Sequence, residues 1–171
     1  MTEDDLIAAL QPLFDRWVER FAVNDFDGVQ QLWVEDLERP YYVAEEHAVL
    51  MSTWEEVHHY WAETAKINND FKGRISIVNA KLTAENEAMA QFELEWKMSL
   101  EGWPRPIGGT NRGMAGFSNT GKGWRIHSYM EAPMAPITYF RKYGASDETM
   151  LKLRDVYMDV AETLDFPKAE K

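Results

Sequence analysis

Apolar positions in the first third of the chain recur at helical spacing. Leu6, Leu10, Leu13, Trp17 and Phe21 form one stripe, and Thr2 with Asp5 makes a capping pair ahead of it. A second short helix is predicted from 27 to about 33, with Val29, Leu32 and Trp33 as its apolar face. The segment Pro40-Tyr41-Tyr42-Val43 has strand character. Next comes a third helix, capped by Ser52 with Glu55, whose stripe is Trp54, Val57, His58, Trp61 and Ala65. From Phe71 the period falls to two. Strands are predicted over 71–83, 88–100, 107–118 and 124–131, with turns at Glu85-Asn86 and over 119–123. In the third strand of this series glycines weaken the pattern. In the last, Trp124, Ile126, Ser128 and Met130 oppose Arg125, His127, Tyr129 and Glu131. The tail predicts a helix over 147–164, with Met150, Leu153, Tyr157, Val160 and Leu164 on one face. Helices first and long strands later predict an α+β fold, a sheet with helices on one face.

Composition narrows the class. The length of 171 residues suits one domain. Its 18 basic and 29 acidic residues give a formal charge of −11, which repels phosphate backbones and argues against a nucleic-acid partner. Without cysteine there is no disulfide, thiol nucleophile or thiolate metal site. No apolar run approaches the ~18 residues of a membrane span. The acidic opening Met1-Thr2-Glu3-Asp4-Asp5 is unlike a signal peptide, so a cytoplasmic protein is expected. The histidines lack metal-ligand spacing, no glycine-rich phosphate loop opens a helix, and there is no serine elbow. Neither metal nor cofactor is therefore expected. What stands out is the aromatic load, 13% of the chain with seven tryptophans, beside nine methionines.

The order of elements, with Asp25-Phe26-Asp27-Gly28, Leu32-Trp33 and Glu35-Asp36 in the helical hairpin, resembles the nuclear transport factor 2-like superfamily and its SnoaL-like branches. The closing turn and Gly123-Trp124-Arg125-Ile126 are similar to the family's last hairpin. The likeness covers about residues 5–131. It implies a domain over 1–132, and the remaining residues, 133–171, are expected to form a C-terminal helical extension packed on that domain. The implied architecture is a curved mixed or antiparallel sheet wrapped around the N-terminal helices, a cone with a deep pocket. Members include ketosteroid isomerases, scytalone dehydratases, polyketide cyclases, dehydrochlorinases, diarylpropane lyases and non-enzymatic modules, often paired through their sheets. A homodimer is accordingly expected. Alignment puts Tyr41 at the isomerases' base aspartate, Trp17 at their helical tyrosine, and Ala22 at the aspartate of dehydratases and dehydrochlorinases. Those particular mechanisms are therefore not implied, and the chemistry is left to other residues.

Set in that fold, several residues become candidates. His58 lies between Trp54 and Trp61 on a face bordering the implied pocket, where imidazole can serve as acid or base; the rival reading is a satisfied core histidine. Of Tyr41 and Tyr42 one must face inward, and the alignment selects Tyr41 as a phenol for an oxyanion or a leaving hydroxyl. Glu45, Glu46 and His47 read as a charged loop at the mouth. Arg112, among Gly108, Gly109, Gly113 and Gly116, can stabilise an enolate or phenolate, or pair outward with Glu93 or Glu95. His127 and Tyr129 face outward if the Trp124 face is inward, and one bulge would reverse them. Trp17, Trp54, Trp61, Trp96 and Trp124 all fall on predicted inward faces. With Met98 they suit the wall of a pocket for a flat aromatic or polycyclic ligand.

The leading expectation is a cofactor-independent lyase, dehydratase or isomerase acting on a small, largely apolar aromatic substrate. His58, Tyr41, Arg112 and His127 would be its catalytic groups; Trp17, Tyr42, Trp54, Trp61, Trp96, Met98 and Tyr129 would line its substrate site. One concrete form, implied by the diarylpropane lyases, is deformylation of a lignin-type diarylpropane diol with release of formaldehyde. Two rivals stand beside it: a non-enzymatic module that binds a hydrophobic ligand or dimerises, and a scaffold using the outer sheet face.

Overall fold

The computed structural model describes residues 1–45, 47, 49–100, 104–133, 144, 146–152 and 155. Contacts divide the chain into two units, Met1–Pro133 and Met134–Lys171. In the first unit the order is α1 (Glu3–Ala22), α2 (Phe26–Gln30), β1 (Tyr41–Val43), α3 (Trp54–Ile67), β2 (Asn69–Ala84), β3 (Glu87–Ser99), β4 (Ile107–Asn119) and β5 (Trp124–Pro133). In the second, residues 147–152 are helical and Ser146 Oγ accepts from the Thr149 amide at 3.3 Å. The predicted tail positions Leu153, Tyr157, Val160 and Leu164, and Glu46 in the charged loop, lie outside the described residues.

Local chemistry sets the helix ends. Thr2 and Asp5 form a reciprocal capping box on α1. The box on α3 uses Thr53 and Glu56, one residue beyond the predicted pair, because the Glu56 carboxylate accepts from both the Ser52 and Thr53 amides. Those amides, Ser52 first, hold the Glu56 carboxyl below its usual range. At α2 the Gly28 amide, followed by the Arg20 guanidinium, does the same to Asp25. This short helix ends at Gln30, earlier than the predicted 33, and Trp33 then forms a bridge to Ile126.

The sheet is mixed, in the order β1-β5-β4-β3-β2. β1 runs parallel to β5, and the other neighbours are antiparallel. Its inner face packs on the helices: Leu10, Phe14 and Trp17 of α1 are buried, and the Phe14 ring meets those of Phe92 and Phe117. Gln11 fixes α1 on β2, donating to Ile75 O at 2.7 Å and accepting from the Ile77 amide at 3.1 Å. Both backbone groups lie just before the register shift between Ile77 and Asn79.

Strand β5 departs from strict alternation. The register moves from Gly116↔Ser128 to Phe117↔Ile126, so His127 is an extra residue. Ser128 Oγ accepts from the Gly116 amide at 3.1 Å across this bulge. Trp124 and Ile126 are buried before it, and Tyr129 and Glu131 after it. The expectation that Tyr129 and Glu131 face outward is thus corrected: the inserted residue changes the parity of the strand. Met130 goes outward instead.

Close approach of strands also fixes the core. A Cβ at Gly113 would lie 2.1 Å from Phe92 Cζ and 2.7 Å from Met130 O, a backbone atom that cannot yield. Gly113→Ala should therefore destabilise the protein by about 1–3 kcal/mol. Urea denaturation followed by tryptophan fluorescence checks this, and an unchanged midpoint would contradict it.

Candidate functional site

Between the inner sheet face and helices α1 and α3 lies a cavity of about 240 Å³. Helix α1 contributes Trp17 and Phe21, and α3 contributes Tyr60, Thr64 and Ile67. The sheet supplies Tyr42, Phe71, Leu94, Trp96, Met98, Ile107, Asn111 and Glu131, and Glu45 follows β1 at the wall. Most of this lining is apolar, as ligand sites usually are, with a few convergent polar groups.

Two of those polar groups are paired and buried. Glu131 is 7% exposed and Asn111 3%. Asn111 Nδ2 donates to Glu131 Oε2 at 2.7 Å. The pairing follows from the bulge, which turns Glu131 onto the inner face beside an asparagine that shares its parity with Ala115 and Phe117. An amide donor bonded to one carboxyl oxygen fixes the orientation of the group. The floor beneath is a stack of aromatic rings. Tyr129 lies 5.4 Å from Trp17, 5.2 Å from Tyr42 and 5.3 Å from Phe92, ring centre to ring centre.

The structure redistributes the candidate residues. Trp17, Tyr42, Trp96 and Met98 line the cavity. Tyr129 is fully buried below it. Trp61 packs into the core against Phe26 and Tyr42. Trp54 is half-buried, with its indole donating to Leu37 O at 2.7 Å. Trp124 is buried at the far end of β5. Five indoles converging on one pocket therefore reduce to two.

The four expected catalytic groups are not among the cavity-lining residues. Tyr41 is 61% exposed while Tyr42 is fully buried, so the selection between them is reversed. A one-residue slip in a short strand exchanges its faces, and here the parallel pairing Tyr42↔Tyr129 sets them. His58 is exposed on α3, bonded to Gln30 Oε1 at 3.0 Å and stacked on Trp54. It sits at the edge of the apolar stripe, while Val57, Tyr60 and Trp61 take the buried side. Arg112 is exposed on the outer sheet face opposite Glu93. His127, the bulged residue, is half-buried on that same face with Nε2 3.4 Å from Glu87 Oε2. The sequence pattern does not mark Glu131, Asn111 and Tyr60 as site residues. The inward parity of Asn111 was readable in β4; Glu131 lay hidden behind the bulge.

Comparison with known proteins places the fold. A sequence model described as the SnoaL-like domain matches residues 10–136. The chain belongs to the SnoaL-like domain family. Solved structures similar to this SnoaL-like domain include a candidate dehydratase of the NTF2-like family from Streptomyces avermitilis, 16% identical, with a TM-score of 0.65 over 77% of this chain and 98% of that one. A candidate scytalone dehydratase from Novosphingobium aromaticivorans is 8% identical, with a TM-score of 0.67 over 77% and 85%. A domain of unknown function with a cystatin-like fold from Nostoc punctiforme is 10% identical, with a TM-score of 0.62 over 95% and 100%. No curated protein sequence matches the chain. Among the described residues no helix is long and apolar enough to cross a membrane, and no three acidic or histidine side chains group as a metal site.

Removing the amide that holds the carboxyl should be felt in stability. Asn111→Ala is expected to lose about 1–3 kcal/mol, the range for leaving a buried polar group without its partner. Chemical denaturation measures it, and a loss under half that range would show that Asn111 does little for Glu131.

Proposed function

We propose that this SnoaL-like domain is a cofactor-free acid/base enzyme of the dehydratase, isomerase or lyase type. Its substrate is a small, largely apolar aromatic compound. The observation that carries the reading is the buried Glu131 carboxyl, held by Asn111 on the wall of an aromatic-lined cavity. A fixed carboxylate in such a place takes a proton from a carbon beside an aromatic ring or carbonyl. The Tyr42 phenol, on the same wall, offers a donor to the oxygen where charge develops. In a dehydration the C–H electrons form the double bond, the C–O bond breaks, and the proton leaves with the hydroxyl as water. In an isomerisation Glu131 returns the proton to another carbon.

The more specific version is deformylation of a lignin-type diarylpropane diol. There a benzylic hydroxyl leaves as water, the terminal carbinol leaves as formaldehyde, and the two carbons between the rings end as an alkene. The rival reading, a binding module that uses the cavity without turnover, needs the same walls and no proton carrier. Glu131→Gln should lower turnover of a converted substrate by ~10²–10⁴ while the ligand still binds. The test is product analysis for water loss, double-bond migration or formaldehyde on a panel of one- and two-ring aryl alcohols and ketones. Ligands that bind without any product would favour the binding module.

A homodimer through the outer sheet face is part of the proposal. Val78, Met114 and Met130 are exposed there within one shallow groove, an apolar patch rimmed by Arg112 and Glu93. Light scattering should give a dimer mass, and Met114→Lys should lower it to that of a monomer; a monomeric native protein would contradict the assignment.

A further inference from the structure

One wall of the cavity is shaped by a missing side chain. Trp96 on β3 stands opposite Gly109 on β4. A Cβ at Gly109 would lie 3.3 Å from the Trp96 Nε1 and 3.5 Å from its Cε2 and Cζ2. The Nε1 edge of the indole therefore rests on bare β4 backbone. Its N–H is buried there, with no acceptor among the described residues. Trp96 itself is only half-buried and lines the cavity. A side chain at 109 would close the space between strand and ring. The β4 backbone cannot retreat, because Gly108 and Gly109 are held in register with Lys97 and Trp96. The indole must then move to its open side, into the cavity. A Cβ alone asks the ring to give only slightly, a branched residue asks for more, and either movement is taken from a cavity of about 240 Å³, small for a ligand site.

We infer that Gly109, acting through Trp96, sets the size limit for the ligand. Glycine there leaves room for a flat two-ring aromatic, and a branched residue at 109 restricts the site to one ring. The inference rests on the cavity being the ligand site, as proposed above. It makes Gly109 a specificity-determining position with no chemical group of its own, and Trp96 the movable wall.

Two probes of graded size test it, 4-methylphenol with one ring and 2-naphthol with two, their Kd values measured by calorimetry. Gly109→Val is expected to weaken 2-naphthol at least about tenfold and 4-methylphenol less than about twofold. Gly109→Ala, the milder change, should give an intermediate loss of about threefold for 2-naphthol alone, and serves if the valine variant does not fold. In a Trp96→Leu background the same substitutions at 109 should alter 2-naphthol binding less than about twofold, since the wall that transmits them is gone. Equal weakening of both probes, or an undiminished loss in the Trp96→Leu background, would overturn the role of Gly109 while leaving the cavity as the ligand site. Failure of the native protein to bind either probe up to its solubility limit would overturn both.

Discussion

The extra residue in β5 governs what the cavity contains. An antiparallel strand with strict alternation would keep Trp124, Ile126, Ser128 and Met130 on one face. With His127 inserted opposite Gly116, the inner face reads Trp124, Ile126, Tyr129 and Glu131. One consequence is packing: Tyr129 enters the core and links Trp17, Tyr42 and Phe92 by ring contacts. The other is chemistry, because Glu131 arrives beside Asn111 in an apolar enclosure. At the bulge the Ser128 hydroxyl accepts from the Gly116 amide, which gives that donor a partner.

Around this feature the walls follow from ordinary packing rules. Helix α1 brings Trp17 and Phe21 to the cavity because its apolar stripe must cover the sheet, and Gln11 sets its position on β2. Helix α3 brings Tyr60 and Thr64 from its buried side, and Ile67 from its last position. On β4, Gly109 and Gly113 each receive the aromatic ring of a cross-strand neighbour, Trp96 and Phe92. The glycines that weaken the strand pattern in the sequence are what let the large rings of β3 lie close to the sheet.

Family membership explains the frame and leaves the chemistry to the site. Solved structures of very low identity share the fold, and a shared fold does not specify a reaction. Here the inward residue of β1 is a tyrosine, and the buried carboxyl sits near the end of β5. The proposed proton carrier and its asparagine partner thus belong to this chain's own residues.

The sequence by itself determined the element order, most of the element boundaries, the α+β class and the family. Helical stripes and strand alternation are local signals, and capping boxes mark helix starts, so these survive without knowledge of partners. Trp17, Trp96 and Met98 were legible as cavity residues for that reason: each lies on a face that local periodicity identifies. Only the tertiary structure decided the polar half of the site. Whether Tyr41 or Tyr42 faces inward depends on the register of β1 against β5. Whether Glu131 is buried depends on one inserted residue in β5, and a period of two magnifies a shift of one into a change of face. His58 shows the same limit on a helix, where an angle of some tens of degrees separates a cavity wall from solvent. Faces are set by neighbours in space, and a chain read in order carries no record of them.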